Sequence, residues 1–241
     1  MKASFVIPAY NSAEWLNHAV ESCLNQEPIG ADAKSLPEIE IVIVNDGSKD
    51  STADYLAWLA KQGHGEKVKI ITNEINLGRS ASRNKGNLAA SGDFLMVLDA
   101  DDINAPLRAA LTAKRFAAGA QFVHGAANRM DAVGRDLGMM PTDVFNREKA
   151  IETMTNRIVH STVAYTKAFA EKYPYPVGEA ARLGLDDWAC FLTAAMDGVK
   201  FEWIPSSLCA YREGVGISVE RDEAFVRKFK ESFLASMKVP A

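Results

Sequence analysis

Apolar and polar positions alternate in blocks along the first hundred residues, and each block has the length of one secondary-structure element. Phe5 to Ile7 predicts a short strand. Trp15, Leu16, Ala19, Val20, Cys23 and Leu24 then recur at helical spacing, behind Asn11 or Ser12 as a cap. Ile39 to Val44, apolar apart from Glu40, predicts a second strand. Tyr55, Leu56, Leu59 and Ala60 predict the apolar face of a second helix, with Asp50 or Ser51 at its start. Val68 to Thr72 and Phe94 to Leu98 predict two further strands, separated by a small-residue helix from about Ser80 to Ala90. Repeated strand–helix units with apolar strands predict a parallel sheet covered on both faces, an α/β fold.

The second half is less regular. A helix is expected over Leu107 to Ala118 and a hairpin around Asp131, Ala132, Val133 and Gly134. Pro174, Pro176 and Gly178 mark a loop, and Trp188 to Met196 predicts a helix beginning beside Asp186 and Asp187. Val199 to Ile204 and Leu208 to Tyr211 predict two short strands. Phe225, Phe229 and Phe233 give a C-terminal helix a narrow aromatic stripe. The expected organisation is one domain over 1–241, whose second half extends the sheet edge and covers the site.

The candidate chemistry sits at strand ends. Five apolar residues from Phe94 run into Asp99, Asp101 and Asp102. Open α/β sheets bind ligands beyond the carboxyl ends of their strands. Clustered carboxylates repel one another unless a cation lies between them, so a divalent metal with a phosphate is one reading. An acidic turn leading into the next helix, with Asp102 and Asn104 before Pro106, is the other. The strand ends at Pro8, Ala9, Tyr10 and Asn11, and at Asn45, Asp46 and Gly47, should share the same rim. An ionised Asp46 is a pure acceptor suited to a base or ribose, Gly47 suits a turn, and Asp50 suits a cap. Arg79 and Arg83 lie four residues apart on one helical face, placed to pair with the carboxylates or to reach a diphosphate.

Charge and cysteine content narrow the classes. A net charge of -4 excludes an electrostatic nucleic-acid binder but not a phosphate ligand. Cys23, Cys190 and Cys209 are widely spaced and show neither zinc spacing nor a disulfide framework, which suits reduced cytoplasmic thiols. Neither a secretory signal nor a membrane-spanning run is visible.

Four stretches together resemble the family 2 glycosyltransferases. They are Phe5 to Asn11, Ile41 to Thr52, Asn76 to Gly86, and Gly92 to Asp102. The resemblance is strong over roughly the first hundred residues and looser beyond. It implies the GT-A fold, a Rossmann-like nucleotide-diphospho-sugar transferase architecture with a mostly parallel central sheet flanked by helices. It also implies transfer of a sugar from a nucleotide-sugar donor, a UDP-sugar foremost, to an acceptor hydroxyl with inversion. Residues 1–104 would bind the donor and 105–241 the acceptor.

Carried onto matching positions, the resemblance places Pro8, Ala9 and Tyr10 in the nucleotide pocket and Asp46 on the base or ribose. Asp99, Ala100 and Asp101 match the Asp-any-Asp motif. Asp101 would ligate Mn2+ or Mg2+ directly, and Asp99 would reach the ribose or a metal-bound water. Arg79 and Arg83 would contact the diphosphate or fix the carboxylates. Asp187 aligns with the base that deprotonates the acceptor, and Asp186 is its neighbour. Both would lie at a helix N-terminus, where the dipole favours ionised carboxylates, one as cap and one as base. Tyr211 and Arg212 match an element near the donor diphosphate. The His that many relatives place after that Arg is missing, and Glu213 to Ser218 with its two glycines stands there instead. His160 lies where relatives shape the acceptor site. Trp188, beside the base, is read as core or as an acceptor contact.

Two other functions compete. A sugar-phosphate nucleotidyltransferase would need a glycine-rich loop where Pro8 to Asn11 stand, and an inactive nucleotide-sugar-binding scaffold would not need Asp99, Asp101 and Asp187 together. The expected acceptor is a sugar, glycolipid or polysaccharide of a cell-surface pathway. The Phe225, Phe229 and Phe233 stripe is expected to dock on the domain. Pairing with a second subunit, or peripheral membrane contact helped by Lys228, Lys230 and Lys238, are the alternatives.

Overall fold

The computed structural model describes residues 1–155, 157–215 and 223–237. Its strands are β1 (Lys2–Ala9), β2 (Glu38–Asn45), β3 (Val68–Thr72), β4 (Phe94–Val97), β5 (Ile103–Asn104), β6 (Phe122–Met130), β7 (Asp136–Met139), β8 (Ala164–Thr166) and β9 (Phe201–Arg212). Its helices are α1 (Leu16–Leu24), α2 (Thr52–Leu59), α3 (Arg79–Ala89), α4 (Arg108–Ala117), α5 (Arg147–Glu152), α6 (Lys167–Lys172), α7 (Glu179–Arg182), α8 (Asp186–Met196) and α9 (Glu223–Ser236).

These strands join one sheet in the order β3-β2-β1-β4-β8-β6-β9-β5, with β7 beside β6. β1 runs parallel to β2 and β4, and β2 runs parallel to β3, as the apolar strand pattern predicts. The chain moves outward from β1 through β2 to β3, then returns to the other side of β1 for β4. In open α/β sheets such a reversal places the ligand crevice beyond the carboxyl ends of the two strands that flank it, here β1 and β4. The second half extends the same sheet as a mixed one. β8 is antiparallel to β4 and β6, and β6 and β9 are parallel.

Period-two alternation divides the core between the sheet's two faces. Phe5, Ile7, Ile41, Ile43 and Met96 pack with α1 and α2 residues Leu16, Val20, Leu56 and Leu59. Val6, Val42, Leu95 and Val97 face the other way, toward Phe122, Tyr165, Phe169 and Phe191. α3 lies close on that second face because Gly86 has no Cβ; an added one would sit 2.5 Å from Val6 Cγ1.

Several local expectations change. The start of α1 has no side-chain cap; instead the N–H groups of Trp15 and Leu16 donate to the Ser12 carbonyl. Asn11 sits at φ 48 and ties the β1 end to the β2 end, through its N–H to Ser48 Oγ and from the Lys49 N–H to its own Oδ1. Asp50 accepts the N–H of Thr52 at the α2 start, as a capping carboxylate should, and also that of Ala13. The two short strands expected after Val199 are one strand, β9. Its register against β6 shifts twice around Ala126; Pro205 and Ser206 fall at the first shift and Leu208 at the second. The Asp131–Gly134 hairpin forms between β6 and β7, with Asp131 Oδ1 accepting the N–H groups of Val133 and Arg135. Of the C-terminal elements named above, Gly216 to Ser218 and Lys238 lie outside the described residues.

Candidate active site at the carboxyl rim of the sheet

β4 is fully buried up to Val97, and the chain beyond it turns through Asp99 and Asp101, both half-buried, to Asp102, which is buried. Asp99 Oδ1 accepts from Arg83 Nη2 at 2.6 Å and faces His160 Nδ1 at 3.8 Å, and its own N–H donates to Ser161 Oγ at 3.0 Å. Burial alone would raise the Asp99 pKa, but the Arg83 and His160 charges outweigh it and hold the carboxyl well below the usual range. Asp101 has the opposite balance. Burial and then the Asp99 charge push its pKa up to about 6. Burial, then the Asp101 and Asp99 charges, also raise the Asp102 pKa well above its ordinary value, while its Oδ1 accepts the Arg212 N–H at 2.8 Å.

Asp101 thus carries a charge that costs energy where it sits: Arg212 and Arg83 offset its burial only in part, and among the described residues no ion pair is formed to it. Two hard oxygen donors at a crevice rim, Asp99 and Asp101, suit Mg2+ or Mn2+ whose other ligands come from phosphate or water. Among the described residues no three His, Cys, Asp or Glu side chains are grouped to hold a metal by themselves. The pair fits a cation shared with a bound diphosphate, not a closed structural site.

α8 brings the second acidic pair. Asp186 is fully buried and Asp187 half-buried. Asp186 Oδ1 accepts from Arg79 Nη2 at 2.6 Å and Nε at 3.2 Å, and Oδ2 accepts from Ser80 Oγ at 2.9 Å and Arg83 Nη1 at 3.1 Å. Burial is again outweighed, here by Arg83 and Arg79, and Asp186 stays below the usual carboxylate range. Neither carboxylate caps α8: Leu185 holds the cap position without a side-chain bond, and Asp187 Oδ1 accepts the adjacent Trp188 N–H. The expected division into one cap and one base is corrected on that point, because Asp186 is drawn sideways onto α3.

Other site candidates acquire different surroundings from those expected. Ala9 is buried between half-buried Pro8 and Tyr10, and its carbonyl accepts the Asp46 N–H at 2.8 Å. Asp46 is 2% exposed. Its Oδ1 accepts from Asn73 Nδ2 and the Leu77 N–H, and its Oδ2 from the Gly78 N–H. The carboxylate expected on the donor base is spent on the loop between β3 and α3. Arg79 and Arg83 are likewise spent on Asp186 and Asp99, the second of the two roles expected for them. Arg212 is 4% exposed and serves the carbonyls of Asp101, Asp131 and Ala132. It therefore shapes the Asp101 turn from behind. Ala100 is buried within that turn.

His160 Nε2 bonds Tyr175 Oη at 2.9 Å, so this ring supports Asp99 from below and is not a free acceptor contact. Trp188 is 3% exposed, against Phe233 at 5.4 Å between ring centroids and under Lys230 at 5.5 Å. Those contacts place it in the core, the first of the two readings given for it. They also show α9 docked through Phe233, as the stripe predicts.

Sequence reading missed Ser161, Tyr175 and Arg108. Arg108 is wholly buried and donates to the carbonyls of Val97 and Val163, joining the ends of β4 and β8. A cation in the first turn of a helix opposes the helix dipole, and that mismatch was its one visible signal.

Paired acidic residues just after β4 and at the start of α8 thus meet at a strand-order reversal, where open α/β sheets bind their ligands. The family model described as glycosyl transferase family 2 matches residues 4–169, and the chain belongs to that family. Among curated relatives, the succinoglycan biosynthesis protein ExoO of Rhizobium meliloti is 29% identical over 96% of this chain and 70% of its own length. An uncharacterised glycosyltransferase of Nostoc is 39% identical, over 44% of this chain and 30% of its own length. A poly-beta-1,6-N-acetyl-D-glucosamine synthase of Staphylococcus epidermidis is 35% identical over 42% of this chain and 22% of its own. The chain thus spans less than a third of the latter two.

Among solved structures, S. aureus TarS 1-349 with UDP-GlcNAc superposes with a TM-score of 0.67 at 18% identity, over 99% of this chain and 68% of that one. The mannosyltransferase PcManGT of Pyrobaculum calidifontis, with GDP-Man and Mn2+, gives 0.63 at 17%, over 98% and 62%. The fold is the GT-A glycosyltransferase fold.

Proposed function

We propose that this chain transfers a sugar from a nucleoside diphosphate sugar, a UDP-sugar foremost, to an acceptor hydroxyl with inversion, in the synthesis of a surface polysaccharide or related glycoconjugate. One observation carries the reading: Asp99 of the donor rim and Asp186, one residue before Asp187, are joined through the single guanidinium of Arg83. Donor carboxylates and a candidate base thereby share one frame. Relatives named for succinoglycan and poly-N-acetylglucosamine synthesis, and a structural neighbour holding UDP-GlcNAc, support the substrate class.

In this reading residues 1–104 bind the donor and 105–241 the acceptor. The turn after Pro8, Ala9 and Tyr10 lines the nucleotide side. Asp101 and Asp99 hold Mn2+ or Mg2+, which when bound neutralises charge developing on the leaving diphosphate. Asp187 accepts the proton of the attacking hydroxyl. Its carboxylate is half-buried and, among the described residues, accepts its neighbour's N–H alone, which leaves acceptor capacity for a substrate proton. Among the described residues no helix is long and apolar enough to cross a membrane, and we place the enzyme on the cytoplasmic side with its acceptor brought to it.

The test is thermal unfolding with a panel of nucleoside diphosphates and nucleotide sugars, with and without Mn2+. A ligand at 100 times its Kd stabilises the folded state by about 2.7 kcal/mol. Manganese-dependent stabilisation by UDP or a UDP-sugar is expected. No shift from any nucleotide under either condition would overturn the donor site.

A further inference from the structure

Asp186 satisfies four donors with two oxygens while wholly buried. An isolated ion pair in that position is poor value for stability, since desolvation offsets much of the attraction and apolar packing often does as well. What the arrangement supplies is geometry. Arg79, Ser80 and Arg83 occupy one face of α3, and all three grip the first residue of α8. Arg83 then extends from Asp186 to Asp99.

The same helix holds a second segment. Asn84 donates to the Tyr175 carbonyl at 2.8 Å and accepts the Tyr175 N–H at 2.9 Å. The Tyr175 ring lies 5.6 Å from the Arg83 guanidinium carbon, and its hydroxyl meets His160, which faces Asp99. Arg83 is therefore fixed by two carboxylates and an aromatic face, and α3 acts as the common spine of the donor rim and of α8.

We infer that Asp186 is a positioning residue: with Arg79, Ser80 and Arg83 it latches the first turn of α8 onto α3, and so sets Asp187 at a fixed distance from the Asp99 end of the donor site. The inference rests on the transferase reading above, and on Asp187 as the group that takes the proton. Asp186 does not take it, because its acceptor positions are filled by two guanidinium groups and a hydroxyl. The latch spans the donor half and the acceptor half of the chain, so a displaced Arg83 would move both carboxylate sites together.

The experiment compares Arg79→Gln, Arg79→Lys, Asp186→Asn and Asp187→Asn in the full chain. It measures the Kd for UDP with Mn2+, and kcat and KM for UDP release from UDP-N-acetylglucosamine. Arg79 is the gentle variant, since its side chain is 38% exposed and Arg83 and Ser80 still hold Asp186 without it. Should Asp186→Asn fail to fold, Arg79→Gln decides alone. Amide exchange at 186–190 with and without UDP and Mn2+ gives a readout independent of turnover.

Misplacing a reacting group by about 1 Å costs on the order of 100-fold, so Arg79→Gln is expected to lower kcat by roughly 10- to 100-fold. KM and the UDP Kd stay within about twofold, the signature of an interaction felt in the transition state. Arg79→Lys recovers part of the loss. UDP with Mn2+ slows exchange at 186–190 in the parent chain and does so less in Arg79→Gln. Wild-type kcat in both Arg79→Gln and Asp186→Asn, beside an inactive Asp187→Asn, would overturn the latch. So would a weakened UDP Kd at unchanged kcat, which would make Arg79 a donor contact. Full turnover by Asp187→Asn is a different failure: it removes the base on which the transferase reading depends.

Discussion

The Arg212 N–H donates to Asp102 Oδ1 at 2.8 Å, while the same residue's Nε donates to the Asp101 carbonyl at 2.9 Å. One residue at the end of β9 thus grips two of the three acidic residues in the turn that follows β4. Its Nη1 continues to the carbonyls of Ala132 and Asp131 at 2.8 and 3.3 Å, anchoring the β6–β7 hairpin. Arg212→Met would remove the donor to three carbonyls of partly exposed residues, and a loss of about 1–2 kcal/mol in urea unfolding is expected. Because Asp101 would lose its backing, the apparent Mn2+ affinity in the presence of UDP should fall by about tenfold or more, as it does when an outer partner of a metal ligand is removed. An unchanged Mn2+ titration would show that Arg212 serves the hairpin alone.

Asp46 gives a sharper test of what strand-end carboxylates do here. Its oxygens take three donors from Asn73, Leu77 and Gly78. Asp46→Asn converts one acceptor into a donor facing N–H groups, at a cost of about 1–3 kcal/mol. Hydrogen exchange at Leu77 and Gly78 should accelerate in the absence of any nucleotide. Loss of UDP affinity with slow exchange retained at both amides would restore Asp46 to the ligand.

Gly86 lets α3 approach the sheet closely. An alanine Cβ would meet Val6 Cγ1 at 2.5 Å and Val44 Cγ2 at 3.3 Å. Alanine is the better helix former, so propensity favours the substitution by about 1 kcal/mol. Overpacking opposes it by about 1–3 kcal/mol. Because Arg79, Ser80 and Arg83 ride on the same helix, Gly86→Ala should lower the melting temperature and also loosen the acidic site. A melting temperature above that of the parent chain would mean that α3 can shift outward freely.

The parallel half of the sheet was legible because its strands are buried on both faces, and continuous apolar runs such as Phe94 to Leu98 have no other economical explanation. The second half was less so. β8 is three residues long, and β5 is two, too short for any period to show. β9 runs through Pro205, in the gap between the two short strands expected over Val199 to Ile204 and Leu208 to Tyr211; its register shift against β6 leaves room for a residue without an N–H. The site residues were legible as types and only partly as roles. Asp99, Asp101, Asp186 and Asp187 were read from strand and helix ends. Which of them is bare and which is saturated depends on Arg79, Arg83 and Arg212 meeting them across more than a hundred positions for Asp186 and Asp102, and no local spacing encodes that. Tyr175 was hidden for the same reason: it enters the site through Asn84, which is 91 residues away.

His124 carries a pH dependence that lies outside the candidate site. The ring is fully buried on β6 between Phe122 and Trp203, and neither nitrogen has a hydrogen-bond partner among the described residues. Burial lowers its pKa from 6.5 to about 4. Above pH 6.5 both folded and unfolded chains carry the neutral ring, and the full stability is present. As the pH falls from 6.5 toward 4, the unfolded chain takes a proton that the folded chain refuses, so stability declines across that window. The limiting slope is about 1.4 kcal/mol per pH unit, and the full interval costs about 3 kcal/mol. His124→Leu removes the titrating group and two unsatisfied nitrogens at similar volume. Urea unfolding at pH 7.5, 6 and 5 should therefore show a steep loss in the parent chain and a flatter one in His124→Leu, with the variant the more stable of the two at pH 5. Parallel profiles would mean that the ring finds a proton-bearing partner inside the fold, and that the acid sensitivity belongs to the carboxylates around Asp99 and Asp186, whose stabilisation is lost only at lower pH because Arg83 holds both below the usual range.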